Sequence, residues 1–292
     1  MSISTKHIIF NRYNLIAFLT TSLGCFLSWA IADDFFKALF GPGLPHLTKR
    51  EHLYNIFNFS NYAIFGFTLL QLIMPLIAGI PVIPFIREKN IMQFSYTRAS
   101  SYPASILKPM FKRLLIGCVI LFAGYMLFLC GGLVWNTDPS QMVRINMNTG
   151  EVQYARMFMP DIFGEDFLGK GMFLFFTVDG FWKYFVFCFV YGLFAVCVSF
   201  YTGKTALSLI VPLIYYDVLS FAFSALGTET IPGTSLYWSY LAPGFAITAN
   251  GSYRYVTSVQ QMLPLLPPLL FCAYTLVKEF IIKRHRGDVY AA

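Results

Sequence analysis

The chain has 292 residues, 57% of them hydrophobic and 18% aromatic. Only 12% are charged, against about 25% in an average soluble domain. Thirty-two Phe and eighteen Tyr are more than one water-soluble core of this length needs. A disordered chain, a collagen-like repeat and a small disulfide scaffold are excluded, and an ordinary soluble enzyme is strongly disfavoured. An integral membrane protein fits.

A helix needs about 20 mostly apolar residues to cross a hydrocarbon core roughly 30 Å thick. Six runs qualify, at 14–32, 61–86, 114–135, 184–202, 205–226 and 259–277. Before the first, Ile8, Ile9, Phe10 and Tyr13 alternate with Lys6, His7 and Arg12. That pattern suits either a short interfacial helix or a charged flank. The first run lacks a small-x-small cleavage site followed by a soluble mature chain, and it reads as a retained span rather than a signal peptide. In the second run, Pro75, Pro81 and Pro84 must bend or break the helix, because each removes a donor and crowds the preceding turn.

The segment 87–113 carries six basic residues and a single acid, Glu88, with an apolar side of Ile91, Met92, Phe94 and Tyr96. It reads as a structured piece with one face toward membrane or partner, or as a basic flank. Ser100 and Ser101 are placed to cap a further short helix. The third run carries Gly117, Gly124 and Gly131 seven residues apart. Small residues let a neighbouring helix approach, and packing drives association in lipid; general tolerance of glycine in membrane helices is the alternative.

The segment 136–183 contains Met142–Met157, which alternates weakly about Asn148-Thr149-Gly150-Glu151, the pattern of a β-hairpin. Gly203-Lys204 is so short a link that the fourth and fifth runs must form an antiparallel pair. Asp217 is the one formal charge inside the six runs. It reads either as a polar point on a translocation path or as a hydrogen bond locking two helices. The aromatic stretch before the sixth run, Leu236 to Pro243, suits short helices dipping into the interface. Pro264, Pro267 and Pro268 should bend the sixth.

Basic residues set the orientation. With both termini cytoplasmic, the inner segments hold 13 Lys+Arg in 57 residues, and the outer ones 8 in 108. The acids run the other way, 3 inside and 10 outside. The net charge of +7 therefore speaks for topology and contact with anionic membrane lipid, not for nucleic acid. All six cysteines fall in spans, without Cys-x-x-C or zinc spacing, and read as buried small hydrophobes. The four histidines all lie outside the spans, and no nucleophile–base set accompanies them, so the chain is not expected to be an enzyme. The expected fold is an all-α polytopic membrane protein of six transmembrane helices, with an N-terminal interfacial helix and a small outer region.

Taken together the layout resembles the membrane permease subunits of type-2 ATP-binding-cassette exporters. The resemblance rests on the six spans, on Arg87-Glu88-Lys89 opening the basic loop, and on Arg98-Ala99-Ser100-Ser101-Tyr102 leading to Lys112. It also rests on the tight Tyr201–Lys204 link and on Tyr240-Leu241-Ala242-Pro243 before the last span. It implies a cytoplasmic ATPase subunit, which would carry ATP and Mg, since this chain has no G-x-x-x-x-G-K-[ST]. It implies a second permease chain, identical or related, completing the pathway. Arg87, Glu88, Arg98, Ser100, Tyr102, Tyr201 and Lys204 would meet the ATPase, and the substrate would be amphipathic: a peptide, antibiotic or lipid-like molecule. The location expected is a bacterial plasma membrane. A secondary transporter or channel, which would need several intramembrane charges or an internal repeat, and a non-catalytic membrane subunit of another complex are the alternatives.

Overall fold

The computed structural model describes residues 9–33, 35–41, 49–96, 102–135, 143–145, 152–154, 160–163, 170–229, 241–248 and 257–279. Six helical segments within these are long and apolar enough to cross a membrane: Arg12–Ala32, Phe59–Lys89, Ile106–Val134, Met172–Thr202, Thr205–Ala225 and Ser258–Val277. The protein is an all-α polytopic chain, and its composition makes it a multi-pass membrane protein.

Each span follows from local chemistry. Asn11 opens the first, its side chain accepting from the Tyr13 amide. Proline interrupts the second. Phe59–Thr68 gives way to a 3₁₀ turn at Leu70–Ile73, a short helix at Met74–Gly79, another 3₁₀ turn at Ile80–Val82, and the helix Ile83–Tyr96. The sixth behaves alike: Ser258–Met262, a 3₁₀ turn at Leu263–Leu265 containing Pro264, then Leu266–Val277. Tightening to 3₁₀ geometry lets the chain continue across a residue that cannot donate. Pro109 and Pro212, by contrast, sit inside unbroken helices, Tyr102–Gly131 and Thr205–Glu229.

Two spans begin earlier than the apolar runs suggest. The third helix starts at Tyr102, with Pro103 in its first turn, where a missing donor costs nothing. Most of 87–113 is therefore helix belonging to its neighbours, not a separate loop. The fourth starts at Met172 rather than at 184, so the connection between the third and fourth spans ends near residue 171. Asp179 and Lys183 hide this start from a count of apolar residues, yet one turn apart on a helix they neutralise each other. A π-helical turn at Trp182–Phe187 joins this first part to Cys188–Thr202.

The fourth span is the most buried and the fifth the least. The first span packs on the third and on Phe59–Thr68, while Cys188–Thr202 of the fourth packs on the fifth, the sixth and Met74–Gly79. Near the end of the first span, Trp29 gathers Phe35, Tyr62 and Trp135 with ring centroids 5.1, 5.2 and 4.9 Å away. Tyr62 stacks on Phe128 at 3.9 Å and donates to its carbonyl at 2.9 Å. Val143–Ile145 and Val152–Tyr154 pair antiparallel, Arg144 opposite Gln153. Of the interfacial stretch 3–13, only residues 9–13 are among those described.

Candidate functional site

Of the residues expected to meet a partner, Arg87, Glu88, Tyr201 and Lys204 lie at one end of the bundle. The second span ends there in Arg87, Glu88 and Lys89, and their side chains leave in three directions. Arg87 donates to the Tyr13 hydroxyl at 2.7 Å, reaching the start of the first span. Glu88 accepts from Arg113 of the third at 2.7 Å. Lys89 is buried and donates to the carbonyl of Ser199 in the fourth, with the Phe200 ring 5.0 Å from its ammonium.

The fourth span carries the chain of contacts onward. Its last turn is closed by Gly203 at φ +63°, a left-handed position that glycine takes without the Cβ penalty. The Ser208 side chain then donates to the Lys204 carbonyl at 2.9 Å, fixing the start of the fifth span. Tyr201 is half-exposed, with its hydroxyl 3.3 Å from the Thr275 hydroxyl on the sixth span. The ammonium of Lys278 lies 5.0 Å over the Tyr201 ring. Lys204 is exposed at the tip. Arg98 and Ser100 lie outside the described residues, and Tyr102 opens the third helix with its side chain outside them.

The glycines of the third span meet different neighbours. Gly117 lies against Pro81 of the second span, so tightly that a Cβ would clash. At Gly124 a Cβ would stand 2.8 Å from the Phe18 carbonyl oxygen of the first span. Gly131 is exposed, and a Cβ there would sit 3.4 Å from the Tyr62 hydroxyl.

Asp217 is not the lone charge inside the spans. Asp179 and Lys183, which the apolar-run reading leaves in the outer segment, lie inside the fourth helix, 2% and 4% exposed, with their charged atoms 2.5 Å apart. The ammonium of Lys183 also stands 4.4 Å over the Phe67 ring. Around them Tyr125 donates to the Phe176 carbonyl at 3.0 Å and stacks on Tyr184 at 4.6 Å. The Tyr184 hydroxyl in turn lies 3.1 Å from the Cys25 sulfur. Asp217 is only half-buried, and it makes no hydrogen bond or ion pair with another described residue. It sits beside exposed Ile214, Val218 and Phe221 on the least buried span.

The Asp179-x-x-x-Lys183 spacing was a readable signal, since acid and base four apart share a helix face. Nothing local to the sequence pairs Lys89 with Ser199, 110 residues away. Among the described residues no group of His, Cys, Asp and Glu could hold a metal ion. In comparisons with known proteins, the chain matches no family, no curated protein and no solved structure.

Proposed function

We propose that the chain is the permease subunit of an ABC exporter, forming the path of an amphipathic substrate and moved by a separate ATPase. One observation carries this reading: at the end of the bundle that holds Arg87 and Lys204, the spans are cross-tied by specific side chains. Arg87, Glu88 and Lys89 connect the second span to the first, third and fourth, and Tyr201 connects the fourth to the sixth. These side chains tie the first, second, third, fourth and sixth spans together, so a push on the segment beginning at Arg87 would be passed to five of the six. The proline-interrupted second and sixth spans supply places where helices change direction as the populations of two bundle states shift. A second permease chain belongs to this reading because Asp217 sits on an apolar, outward face. Acids within membrane helices ordinarily face protein or water.

The test is purification from native membranes followed by reconstitution. An ATPase carrying a phosphate-binding loop should accompany the chain, and its hydrolysis should be stimulated in nanodiscs. Lys204→Glu, a change at an exposed position, should abolish the stimulation while leaving the fold of the chain intact, and Lys89→Met, which loosens the tie between the second and fourth spans, should weaken it. Transport that proceeds without ATP, or an ATPase indifferent to both variants, removes the proposal.

The buried Asp179–Lys183 pair favours a second reading, a self-contained secondary transporter whose coupling ion disturbs that pair. The two part on energy source: this reading requires transport driven by an ion gradient alone and lost in Asp179→Asn.

A further inference from the structure

We infer that the basic end of the first span holds an anionic phospholipid, its phosphate between Arg12 and Arg87 and one acyl chain in the groove beside Phe18 and Ile120. The two guanidinium groups converge on a single neutral ring. Arg12 and Arg87 both donate to the Tyr13 hydroxyl, at 3.1 and 2.7 Å. Their guanidinium carbons lie 4.9 and 5.6 Å from the centre of that ring. Neither pairs with a carboxylate among the described residues, and neighbouring Glu88 is taken by Arg113. Each guanidinium has five N–H donors in a planar fork, and each spends one of them on Tyr13. Two adjacent exposed cations with unused donors call for an anion, and the fork matches phosphate.

Directly beside them runs an open groove of about 310 Å³ between the start of the first span and the third. Its walls are largely apolar: Ile9, Phe10, Leu15, Phe18 and Ile120. Phe10 is 86% exposed and Leu15 60%, so the groove opens sideways rather than into the bundle. Depth fits a lipid. The first helix has 21 residues, which at ~1.5 Å each spans about 31 Å, close to the ~30 Å hydrocarbon core. Arg12 at its end therefore lies at the level of lipid phosphates. Phe18, six residues on, lies about 9 Å deeper, among acyl chains. A free phosphate would fill the cationic half and leave the groove empty; a zwitterionic lipid would offer the same phosphate but bring a headgroup cation against the two arginines, so a lipid of net negative charge is the better match.

Native mass spectrometry of the full chain in detergent, offered equimolar long-chain phosphatidylglycerol and phosphatidylcholine, tests this. The expected result is one phosphatidylglycerol retained over phosphatidylcholine by about 30-fold, the combined worth of two arginines at a lipid surface. Arg12→Ala with Arg87→Ala should erase the preference, whereas Lys108→Ala, a basic change elsewhere, should not. Ile120→Trp fills the groove and should release the lipid without moving the melting temperature. Glycerol phosphate, the headgroup without chains, should fail to displace it. Equal retention of both lipids, an unchanged preference in the double arginine variant, or displacement by glycerol phosphate overturns the proposal. Should the arginine variant not fold, undiminished retention by Ile120→Trp overturns it alone.

Discussion

The ammonium of Lys89 is buried against the Ser199 carbonyl, at the point where the second and fourth spans end together. A long cationic side chain seldom folds inward at a membrane face, because water and lipid headgroups offer its charge an easier partner. Here it caps a carbonyl near the end of the fourth span, where a cation is favoured by the helix dipole.

Lys89→Met therefore should destabilise the protein by about 1.5–3 kcal/mol, the usual worth of a hydrogen bond made by a charged group, although the Ser199 carbonyl keeps its bond from the Gly203 amide. A thermal melt in detergent reads this. Spin labels near the ends of the second and fourth spans, beside Lys89 and Ser199, should also report a broader distance distribution. A variant with both properties unchanged would show that the contact holds nothing together.

The Asp179–Lys183 pair predicts a non-additive cycle. Removing one partner strands the other charge in a nearly dry site, at a cost of about 3–5 kcal/mol, whereas replacing both with apolar groups is often neutral. Asp179→Leu and Lys183→Met should each lower the melting temperature sharply, and the double variant should regain most of the loss. If the double variant falls as far as the two singles combined, each residue acts through separate contacts rather than through the pair.

Helix approach at Gly124 and Gly131 differs in kind. A methyl at Gly124 meets a backbone carbonyl of the first span, which cannot swing aside; at Gly131 it meets a hydroxyl from an exposed position. Gly124→Ala should cost about 1–3 kcal/mol, as overpacking usually does, and Gly131→Ala should change stability little. Equal effects in a chemical-denaturation assay would mean that the first and third spans separate freely.

What the sequence revealed, and what it concealed, follows from the range of each interaction. Six spans were legible because length and apolarity are properties of a single segment, and the prolines announced the interruptions at Pro75, Pro81 and Pro264. The fourth span was truncated in that reading because Asp179 and Lys183 look hydrophilic one at a time; only their spacing shows that they cancel. Arg87 and Glu88 stood out as charges, but their partners Tyr13 and Arg113 come from other spans, and no periodicity encodes a contact across the bundle. Asp217 drew attention as a lone charge. Its position on an outward face depends on which side of the fifth helix the others cover, which only packing decides.

Outside the spans, one contact should respond to acid. Asp161, on the short helix Pro160–Phe163, accepts from the Ser258 amide at 2.9 Å and from the Ser258 hydroxyl at 2.5 Å. Ser258 begins the sixth span, just after the cap at Thr257, so the carboxylate also sits at the positive end of a helix dipole. The hydroxyl hydrogen bond holds the Asp161 carboxyl below its ordinary value of 3.8, with the Ser258 amide adding to the effect. A carboxyl whose folded value is depressed contributes above its unfolded value and loses that contribution as pH falls through the folded one. The tie between Asp161 and Ser258 should thus be intact at neutral pH and loosen only below 3.8. Hydrogen exchange at the Ser258 amide, followed as pH is lowered through that value, should show protection lost on acidification. Asp161→Asn should show weaker protection that no longer depends on pH, and Ser258→Ala should return the Asp161 carboxyl toward its ordinary value. Protection that persists in acid, or an Asp161→Asn profile matching the parent, would show that the carboxylate does not hold the start of the sixth span.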